Sequence, residues 1–473
     1  MKITMAASEC IPFAKTGGLA DVIGALPKEL AASGNEVTVF LPFYSVILED
    51  LQLLMKEEQS VTFDFAGQAQ TSRIFQYEDA GVTYLFIDKP EYFGRDQLYS
   101  QEDDGERFAF FCRAVLERLL LDEERPEVLH VHDWHTGLIP FLLTEDPRYT
   151  VLRSATKTLL TIHNLQFQGA ADKTVVSGAL GMEEGKTLWR GNFNALKTGI
   201  AYADVISTVS PSYRDEILTE RYGEGLESLL QERADDLIGI VNGIDTTFYH
   251  PALDKAVERQ YDLTTIEQKV VNKRAVQQRF GLPEKGDVPL LVMISRLSGQ
   301  KGIDVLQAEL PELLANEEIQ FVLIGSGEEK YEHFFEELTK QFPDRAASLI
   351  GFDEKVAHLV YAGADIFLMP SHFEPCGLSQ LISMQYGTVP VVNRTGGLKD
   401  TVIEYDTYLR SGNGFLSDFE KGESYLDAVR RALQLYDQPE EWLTIKQNGM
   451  RGDYSWTSSA QKYEETYRKM TGK

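Results

Sequence analysis

Three cysteines in 473 residues, Cys10, Cys112 and Cys376, are too few and too scattered for a disulfide framework or the paired spacings of a zinc site. That scarcity points to a reducing compartment, and a cytoplasmic protein is expected. No apolar run approaches the roughly 18 residues that cross a bilayer. Met1 leads directly into an apolar strand, so no membrane partner and no N-terminal signal are expected. Positive charge is scarce: 46 Lys and Arg stand against 73 Asp and Glu, a formal net charge of −27. Nucleic acid is excluded as the main partner, because phosphate backbones need clustered cations. Anion-binding power has to be concentrated at a few basic residues and helix ends. The first strand is followed by neither G-x-G-x-x-G nor G-x-x-x-x-G-K-[ST], which disfavours a dinucleotide-dependent dehydrogenase. Repeats and metal-ligand spacings are lacking too, so no metal and no cofactor are predicted.

What is present is a well-mixed globular composition, 43% hydrophobic and 25% charged, long enough for about two or three domains. Strand-like and helical runs alternate nearly throughout. Strands are predicted at 3–7, 37–41, 128–131, 158–162, 205–209 and 237–241, with an antiparallel excursion over 61–88 and a loop-rich insertion over 165–192. The stretch 246–287 is polar and partly helical, and the domain junction falls there. The rhythm restarts with strands at 289–294, 320–324, 347–350, 366–369 and 389–393. Alternating β and α with apolar strands predicts an α/β protein with parallel sheets covered by helices. The expected domains are two Rossmann-like halves facing across a cleft, 1–245 and 246–454. The helical tail 455–473 is expected to join the first half.

In open parallel sheets ligands sit beyond the carboxyl ends of the strands, and that rule sorts the polar residues. The first strand delivers Lys15-Thr16-Gly17-Gly18 ahead of a helix, whose first N–H groups are expected to point outward. Later strands of the first half deliver His132, Asp133 and His135, then His163-Asn164, then Asn242. The second half delivers Arg296 with Lys301, Gly325-Ser326-Gly327, the run Phe373-Glu374-Pro375-Cys376-Gly377-Leu378, and Gly396-Gly397. Each has a plainer reading. The glycine pairs serve equally as structural turns, and His132 and His135 as satisfied core histidines. Arg296 and Lys301 also fit a solvated positive edge, and Glu374 a helix cap. In so acidic a chain, however, two cations straddling a strand-to-helix turn suit a diphosphate clamp. Together the groups fit a nucleotide diphosphate linked to a polyhydroxy group, with fixed cations stabilising the departing diphosphate.

Lys15-Thr16-Gly17-Gly18-Leu19-Ala20-Asp21-Val22, His132-Asp133-Trp134-His135, Thr161-Ile162-His163-Asn164, Val241-Asn242-Gly243-Ile244-Asp245, Arg296 with Lys301-Gly302, and Phe373 to Leu378 occur in this order. This series resembles bacterial glycogen synthases and plant starch synthases. The resemblance implies the GT-B fold and retaining transfer of glucose from ADP-glucose to the non-reducing end of an α-1,4-glucan. It implies that Lys15, Gly17 and Gly18 contact the donor diphosphate, and that Arg296 and Lys301 neutralise it as it leaves. By the same resemblance His163 and Asp133 hold the glucosyl group with Asn242 nearby, while Glu374, Cys376 and Gly377 grip the sugar. Gly396 and Gly397 join the phosphate-binding set. Many GT-B relatives carry a second glutamate eight residues after the first, where this chain has Ile382. The alternatives are a retaining transferase using UDP-glucose or another acceptor, and a non-catalytic glucan-binding protein.

Overall fold

A computed structural model describes residues 1–473, the Glu420 side chain excepted. It comprises unit 1, Met1–Asn242 with Trp456–Lys473, and unit 2, Gly243–Ser455.

Unit 1 is built on ten strands: β1 (Lys2–Ala6), β2 (Glu36–Pro42), β3 (Lys56–Glu57), β4 (Val61–Phe65), β5 (Gln68–Asp79), β6 (Val82–Asp88), β7 (Val128–His132), β8 (Lys157–Ile162), β9 (Val205–Thr208) and β10 (Leu237–Gly239). They lie in the order β10-β9-β8-β7-β1-β2-β6-β5-β3, with β4 paired to β5. Pairing is parallel from β10 to β6. The excursion over 61–88 is antiparallel only in part: β5 runs against β6, while β6 itself lies parallel to β2. Helix α1 (Gly18–Ala32) buries Leu19, Val22, Ile23, Leu26 and Leu30, the stripe that its spacing predicts. The insertion folds into a small three-stranded sheet, Ala170–Ala171, Leu188–Trp189 and Asn192–Asn194.

The C-terminal helix Trp456–Thr471 is part of unit 1. Tyr467 meets His130 at 2.7 Å, Ser459 donates to the Val241 carbonyl, and Thr457 donates to Glu29.

Unit 2 holds six strands, β11 (Leu290–Ile294), β12 (Gln320–Gly325), β13 (Ala346–Ile350), β14 (Ile366–Met369), β15 (Val389–Asn393) and β16 (Phe415–Ser417). All are parallel, in the order β13-β12-β11-β14-β15-β16. This is a doubly wound sheet whose direction of winding reverses between β11 and β14. Helices α2 (Ile303–Asn316), α3 (Glu329–Gln341), α4 (Ser379–Gln385) and α5 (Gly396–Thr401) follow β11, β12, β14 and β15. Separate apolar cores cover the two faces. One includes Leu291, Phe321 and Leu368, the other Leu290, Val322 and Phe367. Such strands read as continuous apolar runs, which is why they stand out in the sequence. Strand β16 and the helices Tyr425–Tyr436 and Pro439–Met450 complete the unit beyond the last predicted strand.

Candidate active site

The reversal point of unit 2 gathers its charged residues. The chain leaves β11 through Arg296 and makes a tight turn at Gly299–Lys301. Gly302 then enters α2 with φ +70°, and a Cβ there would lie 1.9 Å from the Pro370 carbonyl oxygen. Only glycine lets the β11 connection sit so close to the end of β14. Gln300 and His372 lock the two loops together through a 2.9 Å backbone bond. Across that seam Lys301 Nζ donates to Glu374 Oε2 at 2.6 Å. The Ser371 hydroxyl donates to the same oxygen at 3.1 Å. Glu374 is buried, and its backbone carbonyl accepts from the Gly397 N–H at 3.0 Å. Arg296 is exposed, and its guanidinium makes no hydrogen bond or ion pair among the described residues.

Cys376 is a buried free thiol next to Gly377, which has φ +73°. A Cβ on Gly397 would meet the Cys376 carbonyl oxygen at 2.2 Å, and Gly396 sits at φ +43°. The Gly396-Gly397 pair therefore lets the start of α5 close onto the Glu374 loop. The Gly325–Gly327 turn has a different explanation. Cβ atoms there would strike the Ser295 and Leu297 carbonyl oxygens at 2.0 and 2.2 Å. Its N–H at Gly327 is already taken by Glu332, and the neighbouring Gly299 N–H by Glu328. Backbone packing accounts for the glycines of this turn, and these two N–H groups already have carboxylate acceptors.

In unit 1 the order reverses between β1 and β7, and the loops there carry the other candidates. The loop after β1 is organised by Glu9, a residue that spacing does not single out. Its buried carboxylate accepts from Thr16 N–H at 2.5 Å, Thr16 hydroxyl at 2.7 Å, Gly17 N–H at 3.0 Å and Tyr99 hydroxyl at 2.7 Å. The Thr16 and Gly17 N–H groups, which precede the helix that starts at Gly18, thus point inward at a carboxylate. Lys15 lies on the outside of the loop, half exposed, with Nζ 2.7 Å from Asp21. Gly17 has an extended φ of −150°, and a Cβ on Gly17 or Gly18 would meet nothing within 4 Å. Neither strain nor packing calls for these two glycines. Open space in front of the backbone is what they preserve.

Asp133 follows β7 with φ +56°, an unusual conformation for a residue with a side chain. Its carboxylate accepts the His163 N–H at 2.7 Å, tying the end of β7 to the end of β8. Burial pushes the Asp133 carboxyl up to about 7, against the lowering effect of the His163 and Asn164 backbone groups. His163 Nε2 lies 3.0 Å from His132 Nδ1, and burial depresses the His163 ring to about 3. Asn242, the last residue of this part of unit 1, is buried with its Oδ1 sealed and unpartnered. No hydrogen bond among the described residues joins it to His163 or Asp133.

Two family models match this chain: the starch synthase catalytic domain over residues 2–232, and the glycosyl transferases group 1 over residues 276–448. Glycogen synthase of Bacillus subtilis is 46% identical over 476 residues, covering 100% of this chain and 98% of that protein. The enzyme of Anoxybacillus flavithermus is 45% identical over 472 residues, covering 99% and 97%. The chain belongs to the glycogen synthase family. Among solved structures, the catalytic domain of starch synthase IV from Arabidopsis thaliana, bound to ADP and acarbose, aligns at a TM-score of 0.91 with 32% identity, covering 100% of this chain and 99% of that one. Sucrose-phosphate synthase from Thermosynechococcus elongatus, at 17% identity and a TM-score of 0.63 over 99% of each chain, shares the fold. The two doubly wound units are those of a GT-B glycosyltransferase.

For a glycogen synthase the candidate residues divide cleanly by unit. Unit 2 brings Lys301, Glu374, Cys376, Gly377, Gly396 and Gly397 to one seam, with Arg296 at its strand end. Unit 1 brings His163 and Asp133 into contact and holds Lys15, Gly17 and Gly18 on the neighbouring reversal-point loop. Sequence spacing misses Glu9, His132 as a partner of His163, and Phe352. The last is 70% exposed just beyond β13, on the carboxyl-end side of the sheet from which the β11–α2 connection carries Lys301. An aromatic left in solvent at a strand's carboxyl end is the signal that would have found it.

Proposed function

We propose that the chain transfers glucose from ADP-glucose to the non-reducing end of an α-1,4-glucan, with retention at the anomeric carbon. The Lys301–Glu374 pair at the unit 2 reversal point carries this reading. The lysine is held against a carboxylate, and Arg296, at the end of the preceding strand, makes no ion pair among the described residues. A diphosphate arriving there competes for Lys301 and adds Arg296, and Glu374 is released to accept from sugar hydroxyls. Two fixed cations then stabilise the charge that develops on the leaving diphosphate. Phe352 offers a face on which the base can stack. The ADP in the starch synthase IV structure supports adenine as that base.

His163 and Asp133 hold the glucosyl group from unit 1, and Lys15 and the open Gly17-Gly18 turn serve the donor phosphates. Asp133 is a poor nucleophile: its carboxylate is engaged by backbone N–H groups and shifted toward its neutral form. Retention then follows from attack on the face that the diphosphate leaves. The C1–O bond to phosphate breaks, the bond from C1 to the acceptor oxygen forms, and the acceptor proton passes to the departing phosphate oxygen. The cations take the role a metal would fill, so transfer is expected to persist with excess chelator. A loss of activity restored by a divalent ion would contradict this. Three buried free thiols fit a reducing cytoplasm. The direct test is incorporation of labelled glucose into glycogen, followed by digestion from the non-reducing ends. Release of the label as maltose is expected, and label resistant to an α-1,4-specific exo-enzyme would count against the proposal.

A further inference from the structure

The end of β7 contains a histidine whose bonding is incomplete in an informative way. His132 is fully buried, and Thr136 pins its backbone, accepting from the His132 N–H at 2.7 Å and donating to its carbonyl at 2.8 Å. Its ring lies against His130, with centroids 4.0 Å apart. Nδ1 points at His163 Nε2, 3.0 Å away, and Nε2 is sealed from solvent with no partner. His163 Nδ1, on a side chain that is partly exposed, has no hydrogen-bond partner among the described residues.

Burial keeps both rings neutral at pH 7. Each then carries one ring proton, and one proton lies in the bond between them. There are two ways to arrange this. If His163 donates, the remaining proton of His132 sits on the sealed Nε2, as a buried N–H with no acceptor. If His132 donates from Nδ1, its sealed nitrogen is a bare lone pair, and His163 carries its proton on Nδ1. An orphaned buried N–H is the rarer and costlier outcome. We infer that His132 is a positioning residue that fixes the tautomer of His163, so that His163 offers its Nδ1–H as a hydrogen-bond donor to an oxygen of the transferred sugar. The choice of ligand atom rests on the proposed glucosyl transfer; the tautomer does not. A donor at this place discriminates between sugars, because removing the oxygen it serves leaves a desolvated N–H unpaired.

The experiment is two-bond ¹H–¹⁵N correlation spectroscopy on the full chain labelled at histidine, with His163 assigned by its absence in His163→Asn. The expected spectrum shows His163 protonated at Nδ1. A spectrum showing Nε2–H would overturn the inference, with or without any activity in the enzyme. Kinetics give the second arm. His132→Phe keeps the ring contact with His130 and removes the donor, and kcat should fall by about 30-fold with the glucan KM little changed. His132→Asn places an amide N–H near the Nδ1 position and should recover most of that loss. A folded His132→Phe enzyme with unchanged kcat would sink the positioning role. If that variant does not fold, the wild-type spectrum decides alone. Absence of transfer in the wild type would count against the proposed function and leave the tautomer result standing.

Discussion

Lys301 is the residue on which the chemistry leans hardest, since one 2.6 Å bond sets its position and its release. Lys301→Ala removes a preorganised cation from the leaving group and leaves Glu374 buried without its partner. The expected cost is about 3–4 kcal/mol in transition-state stabilisation, a fall in kcat of two to three orders of magnitude. A steady-state assay showing less than a tenfold fall would remove Lys301 from the leaving-group site. Lys301 and Glu374 are each legible in the sequence as strand-end residues, but their bond is not, because it depends on β11 and β14 being neighbours while the two residues lie 73 positions apart in the chain. Glu9 is invisible for a similar reason. Its role exists only once the loop has curled back so that two N–H groups and two hydroxyls converge on it.

The glycines of the turns make a discriminating test at the level of the element. Gly18 opens α1 in ordinary backbone space, and nothing lies within 4 Å of an added Cβ. Gly18→Ala is therefore expected to leave the thermal midpoint unchanged or raise it, by up to about 1 kcal/mol of stability. Activity should nevertheless fall at least about tenfold, because the methyl occupies space reserved for a ligand. Gly302→Ala should do the reverse damage, destabilising the fold outright through its φ of +70° and the Pro370 carbonyl. Differential scanning calorimetry beside an activity assay separates the two cases; a Gly18→Ala enzyme of full activity would show the open space to be idle. The strands of unit 2 were legible because burial on both faces leaves continuous apolar runs. Turn function was not, since Gly325-Ser326-Gly327 and Gly17-Gly18 look alike in sequence and differ only in what faces them.

At the scale of the whole molecule, the alternation of strand and helix leads directly to two doubly wound sheets, and the winding order places their reversal points. The C-terminal helix was the part that local pattern does not place. Its Tyr467 reaches His130 across 337 positions of chain, a contact that no periodicity encodes. That contact closes a buried cluster of His130, His132 and His163, and His135 is buried separately against Tyr99 and Phe108; burial holds all four rings below the usual histidine range. The unfolded chain binds these protons below about pH 6.5 and the native chain does not, so stability is fully present above that pH and is lost on acidification below it, for His163 down to about 3. Asp133 acts in the opposite sense. Its raised pKa adds stability below the usual carboxylate range that disappears as the pH rises through about 7. Four histidines outweigh one carboxyl, and the urea midpoint should be lower at pH 5.5 than at pH 7.5. An equal or higher midpoint at pH 5.5 would mean that the cluster takes up protons while folded.

The most direct test of the central claim is a comparison of donors. The purified chain, given labelled ADP-glucose or UDP-glucose at equal concentration with glycogen as acceptor, should incorporate glucose from ADP-glucose with the larger kcat/KM. Preference for UDP-glucose, or no incorporation from either, would contradict the account.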